Sequence, residues 1–283
     1  MVLIREFRIV MPMTLDEYEV GILYTIMKME QQNTTSKEGV EILENIRYDD
    51  GELGRGQHTS KIYHLESKVP SWLKAFAPAK AFALHEISWT ANPKSKSVIK
   101  SPFFEQFQLK IETINKADNG CSDNVYELSD ELLAERKVEI LDIASAAKDY
   151  WSKKVGTTKV DFSSFKSKRT GCGPLAKGWQ DKCHPVMTSY KLLSIEAPLW
   201  GLGNRLEEAI LAGQRALVLE SHRRCFALID EWYGMTMDEV SELERKNEEL
   251  LKERLQKSPS RTKNGDYRLL RLHDRQKVIE LPN

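Results

Sequence analysis

The stretch QHTSKIYHLESKVP, residues 57–70, decides how the rest of the chain is interpreted. Its β-branched and aromatic residues alternate with polar ones and a proline closes it, a pattern that predicts a β-strand over 57–70. Side chains two residues apart share one face of a strand, which places Thr59, Lys61, Tyr63 and Leu65 together. That face begins polar and cationic and becomes apolar, as the wall of a site for an amphipathic anion would. The alternative is a half-exposed strand whose Lys61 reaches into water.

Bulk composition excludes several classes of protein. The 283 residues suffice for one large domain or two modest ones, and 42 basic residues balance 42 acidic ones. We therefore expect no nucleic-acid partner and only local contact with membranes. The four cysteines show no CxxC or metal-ligand spacing, which predicts free thiols, no metal and no cofactor. No signal peptide or bilayer-length apolar run is found, so we expect a cytoplasmic protein.

Hydrophobic periodicity predicts an α+β fold in one domain, residues 1–256, followed by a basic mobile tail over 257–283. Within the domain, 144–186 has few periodic apolar positions and is predicted to be an irregular loop. Further strands are predicted over 4–11, 40–46, 82–92, 97–99, 107–113, 137–143 and 188–195.

Two capping boxes and one long apolar stripe predict the main helices. Thr14 with Glu17 begins a first helix, and Thr236 with Glu239 begins a C-terminal helix over 236–256. Between them, apolar residues recur at helical spacing over about thirty residues from Leu202, which predicts a single long helix.

Several segments together resemble the signature of the phosphatidylinositol transfer protein family, and they occur in the family's order. They are 59–65 with 67–70, His85-Glu86 with Trp89, 111–113, 168–175, 189–192, 200–202, 230–232 and 236–238. The resemblance implies a START-like fold: a curved, mostly antiparallel sheet around a long helix, enclosing a lipid cavity under a C-terminal lid helix. It also implies a monomer that touches membranes transiently and carries phosphatidylinositol, and phosphatidylcholine as well, without chemical change.

The chemistry of such cargo restricts the site. Each methylene left in water costs about 0.8 kcal/mol, so the acyl chains must be hidden and the head group paired inside. Lys61 and Lys191 are candidate phosphate partners, and Thr59 and Ser97 are candidate donors. Glu86 would accept from inositol hydroxyls, which phosphatidylcholine lacks. The resemblance implies the same head-group set together with two more residues, Thr113 and, on the C-terminal helix, Glu244.

The chain departs from the family pattern at four positions. Thr90 stands where the family has a head-group asparagine, and a hydroxyl lacks the second donor of an amide. Ser97 replaces a threonine, Ser95 a cysteine, and Ile22 a polar residue of the first helix. These changes leave the lipid preference open.

Two peripheral features also follow from the resemblance. Leu199-Trp200 matches a tryptophan pair that docks on bilayers, although Trp200 could equally pack in a core. Ser167 matches a serine that kinases modify in animal members, and its basic neighbours would pair with a phosphate; the alternative is a solvated serine.

Three functions remain open from sequence. The first is a phospholipid carrier. The second is a module that presents phosphatidylinositol to a lipid kinase, which the basic tail could contact. The third is a small-molecule enzyme using Glu86 or His85 as acid–base, although no nucleophile or metal constellation accompanies them. We expect the protein not to be an enzyme.

Overall fold

A computed structural model describes residues 2–36, 38–50, 54–75, 78–145, 148–198 and 201–256. Its strands form one eight-stranded sheet in the order β2-β3-β4-β5-β6-β8-β1-β7. Neighbouring strands are antiparallel except for the parallel pair β1–β7. The α+β prediction is confirmed. The strands are β1 Leu3–Met11, β2 Gly39–Asp50, β3 Gly54–His64, β4 Ala83–Ala91, β5 Lys94–Lys100, β6 Gln108–Lys116, β7 Lys137–Ile140 and β8 Met187–Glu196.

Three of the helices are long and the others are short. The helices are α1 Leu15–Asn33, α2 Ser71–Lys74, α3 Asp130–Glu135, α4 Tyr150–Val155, α5 Gly203–Ala227, α6 Ile229–Trp232 and α7 Met237–Gln256. Both predicted capping boxes are present, at Thr14 with Glu17 and at Thr236 with Glu239. Among the described residues of the region 144–186, the regular elements are α4 and one 3₁₀ turn, Trp179–Asp181, and the irregular loop there stays a prediction.

Two predicted strands are too long. The strand predicted over 57–70 ends at His64, because the amide of Leu65 bonds to the turn before β4 and Glu66–Lys68 forms a 3₁₀ turn. The strand predicted over 137–143 ends earlier, with β7, and the chain then turns Leu141 and Ile143 into the core. In both cases the apolar pattern continues past the last ladder bond.

The single long helix predicted from Leu202 is broken at Leu228, which separates α5 from α6. The break directs the ring of Trp232 onto α1, while its Nε1 donates to the carbonyl of Cys225 on α5 at 2.8 Å. Gly21 of α1 permits this contact, because a Cβ there would lie 2.7 Å from the Trp232 ring. The apolar spacing is preserved across the break, so periodicity alone does not reveal it.

One face of the sheet, called the inner face below, is covered by helices α1, α5 and α7. Lys61 of β3 contacts Glu30 of α1, and Asn45 of β2 donates to Glu248 of α7 at 2.6 Å. Side chains on this face alternate with those of the outer face along every strand. Within the described ranges no helix is long and apolar enough to cross a bilayer.

Candidate functional site

The polar part of the inner face is built on the pairing of β3 with β4. Lys61 lies directly opposite Glu86, and Thr59 lies opposite Ser88. The Oγ1 of Thr59 lies 2.6 Å from the Oγ of Ser88, and the hydroxyl of Tyr63 donates to Glu86 at 2.5 Å. The alternation of the quoted stretch therefore brings Thr59, Lys61 and Glu86 together, as the sequence predicts.

Helix α1 adds a carboxylate that the sequence analysis missed. Glu30 forms an ion pair with the Nζ of Lys61 at 2.7 Å, and its second oxygen accepts from Asn247 of α7 at 3.1 Å. A signal was present, because Glu30 lies three residues after Met27 and six after Tyr24, both of them buried. Periodicity shows that Glu30 faces inward, but it does not show which strand residue it meets.

The carboxylates around Lys61 leave this end of the site with excess negative charge. Burial alone would lower the pKa of Lys61, but Glu30 above all, and Glu86 and Glu244 at longer range, raise that pKa above its ordinary value. Burial raises the pKa of the Glu244 carboxyl group, although the positive charges of Lys61 and Arg47 oppose this shift. Glu244 lies on α7, as predicted, with Arg47 at 3.8 Å.

The second predicted lysine has different surroundings. Lys191 of β8 lies opposite Thr113 of β6 and donates to its Oγ1 at 3.2 Å. In the part of the chain that the structure describes, no carboxylate lies within ion-pair distance of Lys191. Burial therefore lowers the pKa of Lys191 to about 8, although the charge of Glu86 opposes the shift.

The neighbours of Lys191 under α5 are neutral. The hydroxyl of Tyr18 lies 2.9 Å from Nε2 of His222 and 3.3 Å from the Oγ of Ser189. Burial, together with the charge of Lys191, lowers the pKa of His222 to about 3, so the imidazole is uncharged. Its Nδ1 faces the carbonyl of Val218 at 2.7 Å and must carry the proton, because a carbonyl only accepts.

Two more predicted residues complete the cross-strand rows. Ser97 of β5 lies opposite Ser88, and Thr90 of β4 lies opposite Ser95, which in turn lies opposite Thr113. Among the described residues, the side-chain hydroxyls of Ser97 and Thr90 have no hydrogen-bond partner. They are donors still available to a ligand. Ile22, one of the departures, packs against the core from α1.

The histidine beside Glu86 faces away from this site. His85 projects to the outer face of β4, is 6% exposed and lies 2.8 Å from the Oγ of Ser60. Glu86 points to the inner face, towards Lys61 and Tyr63. The two side chains cannot act on one substrate as an acid–base pair.

Ser167 is covered rather than solvated. It is 2% exposed, and its hydroxyl donates to Asp230 of α6 at 2.5 Å. The same carboxylate accepts from the amides of Lys168 and Arg169 at 2.9 and 3.0 Å. Modification of Ser167 stays a prediction, and it would require this turn to open. The predicted docking pair, Leu199 and Trp200, lies outside the described residues, as does the tail over 257–283.

A sheet with helices over one face, and charged groups held between them, is consistent with a fold that binds a lipid internally. The model of the phosphatidylinositol transfer protein family matches residues 2–249. The chain belongs to this family, which is a family of lipid transfer proteins rather than of enzymes.

Curated relatives agree over most of the chain. Phosphatidylinositol transfer protein 1 of Dictyostelium discoideum is 40% identical over 257 residues, which cover 90% of this chain and 96% of the relative. Cytoplasmic phosphatidylinositol transfer protein 1 of Mus musculus is 39% identical, over 87% of this chain and 73% of its own length. The protein of the same name in Drosophila melanogaster is 37% identical, over 88% and 89% respectively.

Proposed function

We propose that this protein binds one phosphatidylinositol molecule between the inner face and its covering helices, and exchanges it between membranes without changing it chemically. Phosphatidylcholine is the proposed second cargo, and residues 1–256 are the proposed carrier domain. The protein would work as a cytoplasmic monomer that meets membranes transiently. Family membership and the names of the relatives support this function.

The observation that carries the proposal is the contrast between the two inner-face lysines. Lys191 is partly buried without a carboxylate partner among the described residues, whereas three carboxylates act on Lys61. A buried cation without a partner is costly, and a phosphodiester anion would relieve that cost. We place the phosphate beside Lys191, with Thr113, Ser97 and Thr90 as donors.

The inositol ring would then lie towards Lys61. Thr59, Glu86 and Glu244 would bond its hydroxyls, since this end offers acceptors and already has excess negative charge. The phosphocholine head group has no hydroxyl to donate, because the hydroxyl of choline is esterified to the phosphate. A site whose acceptors are satisfied only by the inositol head group therefore discriminates between the two lipids.

Native mass spectrometry of the full chain, purified from a eukaryotic host, tests this function. We expect one phosphatidylinositol or phosphatidylcholine per chain, and transfer of both between vesicles. Lys191→Met should reduce both lipids, because both have the phosphate, whereas Glu86→Gln should reduce phosphatidylinositol alone. An empty chain, or a water-soluble occupant, would overturn the proposal.

A further inference from the structure

Glu30 occupies a position that joins three elements. It comes from α1, it is 8% exposed, and its two oxygens meet Lys61 of β3 at 2.7 Å and Asn247 of α7 at 3.1 Å. Each carboxylate oxygen has two lone pairs, so Glu30 can still accept further hydrogen bonds. Glu30 and Glu86 both act on Lys61, which lies directly opposite Glu86 in the sheet.

Asn247 supplies an independent observation. It is 2% exposed, and its Nδ2 is committed to Glu30, yet its Oδ1 is buried and has no hydrogen-bond partner among the described residues. An unsatisfied buried carbonyl costs about 1–3 kcal/mol, so such groups in folded proteins usually have a partner that is missing from view. The missing group must be a donor.

Hydroxyl groups meet the requirements of both residues. A second anion is unsuitable, because three carboxylates, Glu30, Glu86 and Glu244, already act on Lys61. A hydroxyl donates without adding charge, and it can also accept from Lys61. A ring with several hydroxyls could reach acceptors on β3, α1 and α7 together.

We propose that Glu30 and Asn247 are specificity-determining residues, two further acceptors for the hydroxyls of a polyol head group. This inference rests on the proposed function and adds two contacts, from α1 and α7, to the β3–β4 set. It also explains why a carboxylate and an amide are buried between α1, α7 and β3.

The first test replaces Glu30 by its isosteric amide. Glu30→Gln would be incubated with vesicles of phosphatidylcholine containing equal amounts of phosphatidylinositol and phosphatidic acid, and the captured lipids counted by mass spectrometry. Phosphatidic acid has the phosphate but no polyol. We expect the ratio of phosphatidylinositol to phosphatidic acid to fall about tenfold, the effect of roughly 1.4 kcal/mol.

The second test avoids any change of charge. Asn247→Leu removes the unsatisfied carbonyl, and we expect capture of phosphatidylinositol to fall several-fold while capture of phosphatidylcholine is kept.

Glu220→Gln is the matched control for Glu30→Gln, since Glu220 is also a buried helical acid, paired with Arg224 at 2.8 Å on α5. Glu220→Gln should leave the ratio of phosphatidylinositol to phosphatidic acid, and the ratio of phosphatidylinositol to phosphatidylcholine, unchanged.

The outcomes separate this inference from the function on which it rests. If the unmodified chain captures no phospholipid, the proposed function fails. If it captures phosphatidylinositol, but both variants lower all lipids equally or only lower the melting temperature, the inference is overturned. Glu30 and Asn247 would then only tie α1, β3 and α7 together.

Discussion

Two charged groups on adjacent strands, Glu6 on the outer face and Lys191 on the inner face, are balanced in opposite ways. On the outer face, Glu6 of β1 is fully buried and bonds Arg8 at 2.6 Å and Arg136 at 2.7 Å. On the inner face, Lys191 of the adjacent strand β8 has only the hydroxyl of Thr113 as a described hydrogen-bond partner. Glu6 is therefore matched within the chain, whereas Lys191 is left, under the proposed function, for the phosphate of the lipid to match.

The largest effect should come from replacing Glu6, whose carboxylate is matched by two arginines. Glu6→Gln leaves Arg8 and Arg136 with only the exposed carboxylate of Asp123 as a counter-charge, and breaking a buried pair costs about 3–5 kcal/mol. We expect the free energy of unfolding, measured by urea denaturation, to fall by about 3 kcal/mol, with unchanged lipid selectivity in the molecules that remain folded. Glu242→Gln, at an exposed pair with Arg245, is the control and should leave the free energy of unfolding nearly unchanged. If Glu6→Gln and Glu242→Gln lower the free energy of unfolding equally, the contrast between Glu6 and Lys191 is contradicted.

Replacement of Lys191 should raise the stability of the lipid-free chain, whereas replacement of Glu6 should lower it. Its pKa falls from an unfolded value of about 10.4 to about 8, so its protonation opposes folding at pH 7, and the penalty disappears as pH rises through the unfolded value. After allowance for solvent access, we expect Lys191→Met to stabilise the lipid-free chain by about 1–2 kcal/mol at pH 7. Lipid capture should fall by at least about tenfold. A less stable lipid-free variant would contradict the unmatched state of Lys191.

Affinity for an anionic lipid should depend on pH for the same reason. Lys191 must be protonated to pair with a phosphate, and its pKa in the lipid-free chain is about 8. We therefore expect the affinity for phosphatidylinositol to fall about tenfold between pH 7 and pH 9, measured by transfer between vesicles. Lys191→Arg keeps its charge over that range and should give a flat profile. A flat profile for the unmodified chain would be the contrary result.

The smallest effect should follow from Thr113→Val, which keeps the shape of the side chain but removes the hydroxyl that accepts from Lys191. We expect a loss of about threefold in capture of both phosphatidylinositol and phosphatidylcholine, because a single hydrogen bond contributes about 0.5–1.5 kcal/mol. Selective loss of one lipid would place Thr113 at the ring rather than at the phosphate.

Part of the inner-face site can be predicted from the sequence. Strand alternation places Thr59 and Lys61 on one face of β3, and two capping boxes predict the starts of α1 and α7. Glu86 is a candidate head-group residue by its chemistry and by the family resemblance, and its position opposite Lys61 comes from the structure. Alternation carries no information about what covers a face. The two additional residues on α1 and α7, Glu30 and Asn247, therefore had no assigned partners until the helices were placed over the sheet.

Boundaries failed where hydrophobic spacing continued through a change of structure. The stripe from Leu202 kept its helical period across Leu228, although the chain leaves the helix there. The strand predicted to end at Pro70 stopped at His64 because the Leu65 amide found a partner outside the ladder. Hydrophobic periodicity shows which side of an element is buried, but it does not show whether the backbone hydrogen bonds continue.

The carboxylate of Asp230 gives the irregular region an unusual dynamic property. Three donors, from Ser167, Lys168 and Arg169, share this single acceptor on α6, so releasing one weakens the hold on the others. The turn should therefore open as one cooperative unit, with a common rate of amide hydrogen exchange at positions 168 and 169. An enzyme that modifies Ser167 would act on the molecules in which this turn is open. The frequency of opening, rather than the sequence around the serine, would then set the rate of modification.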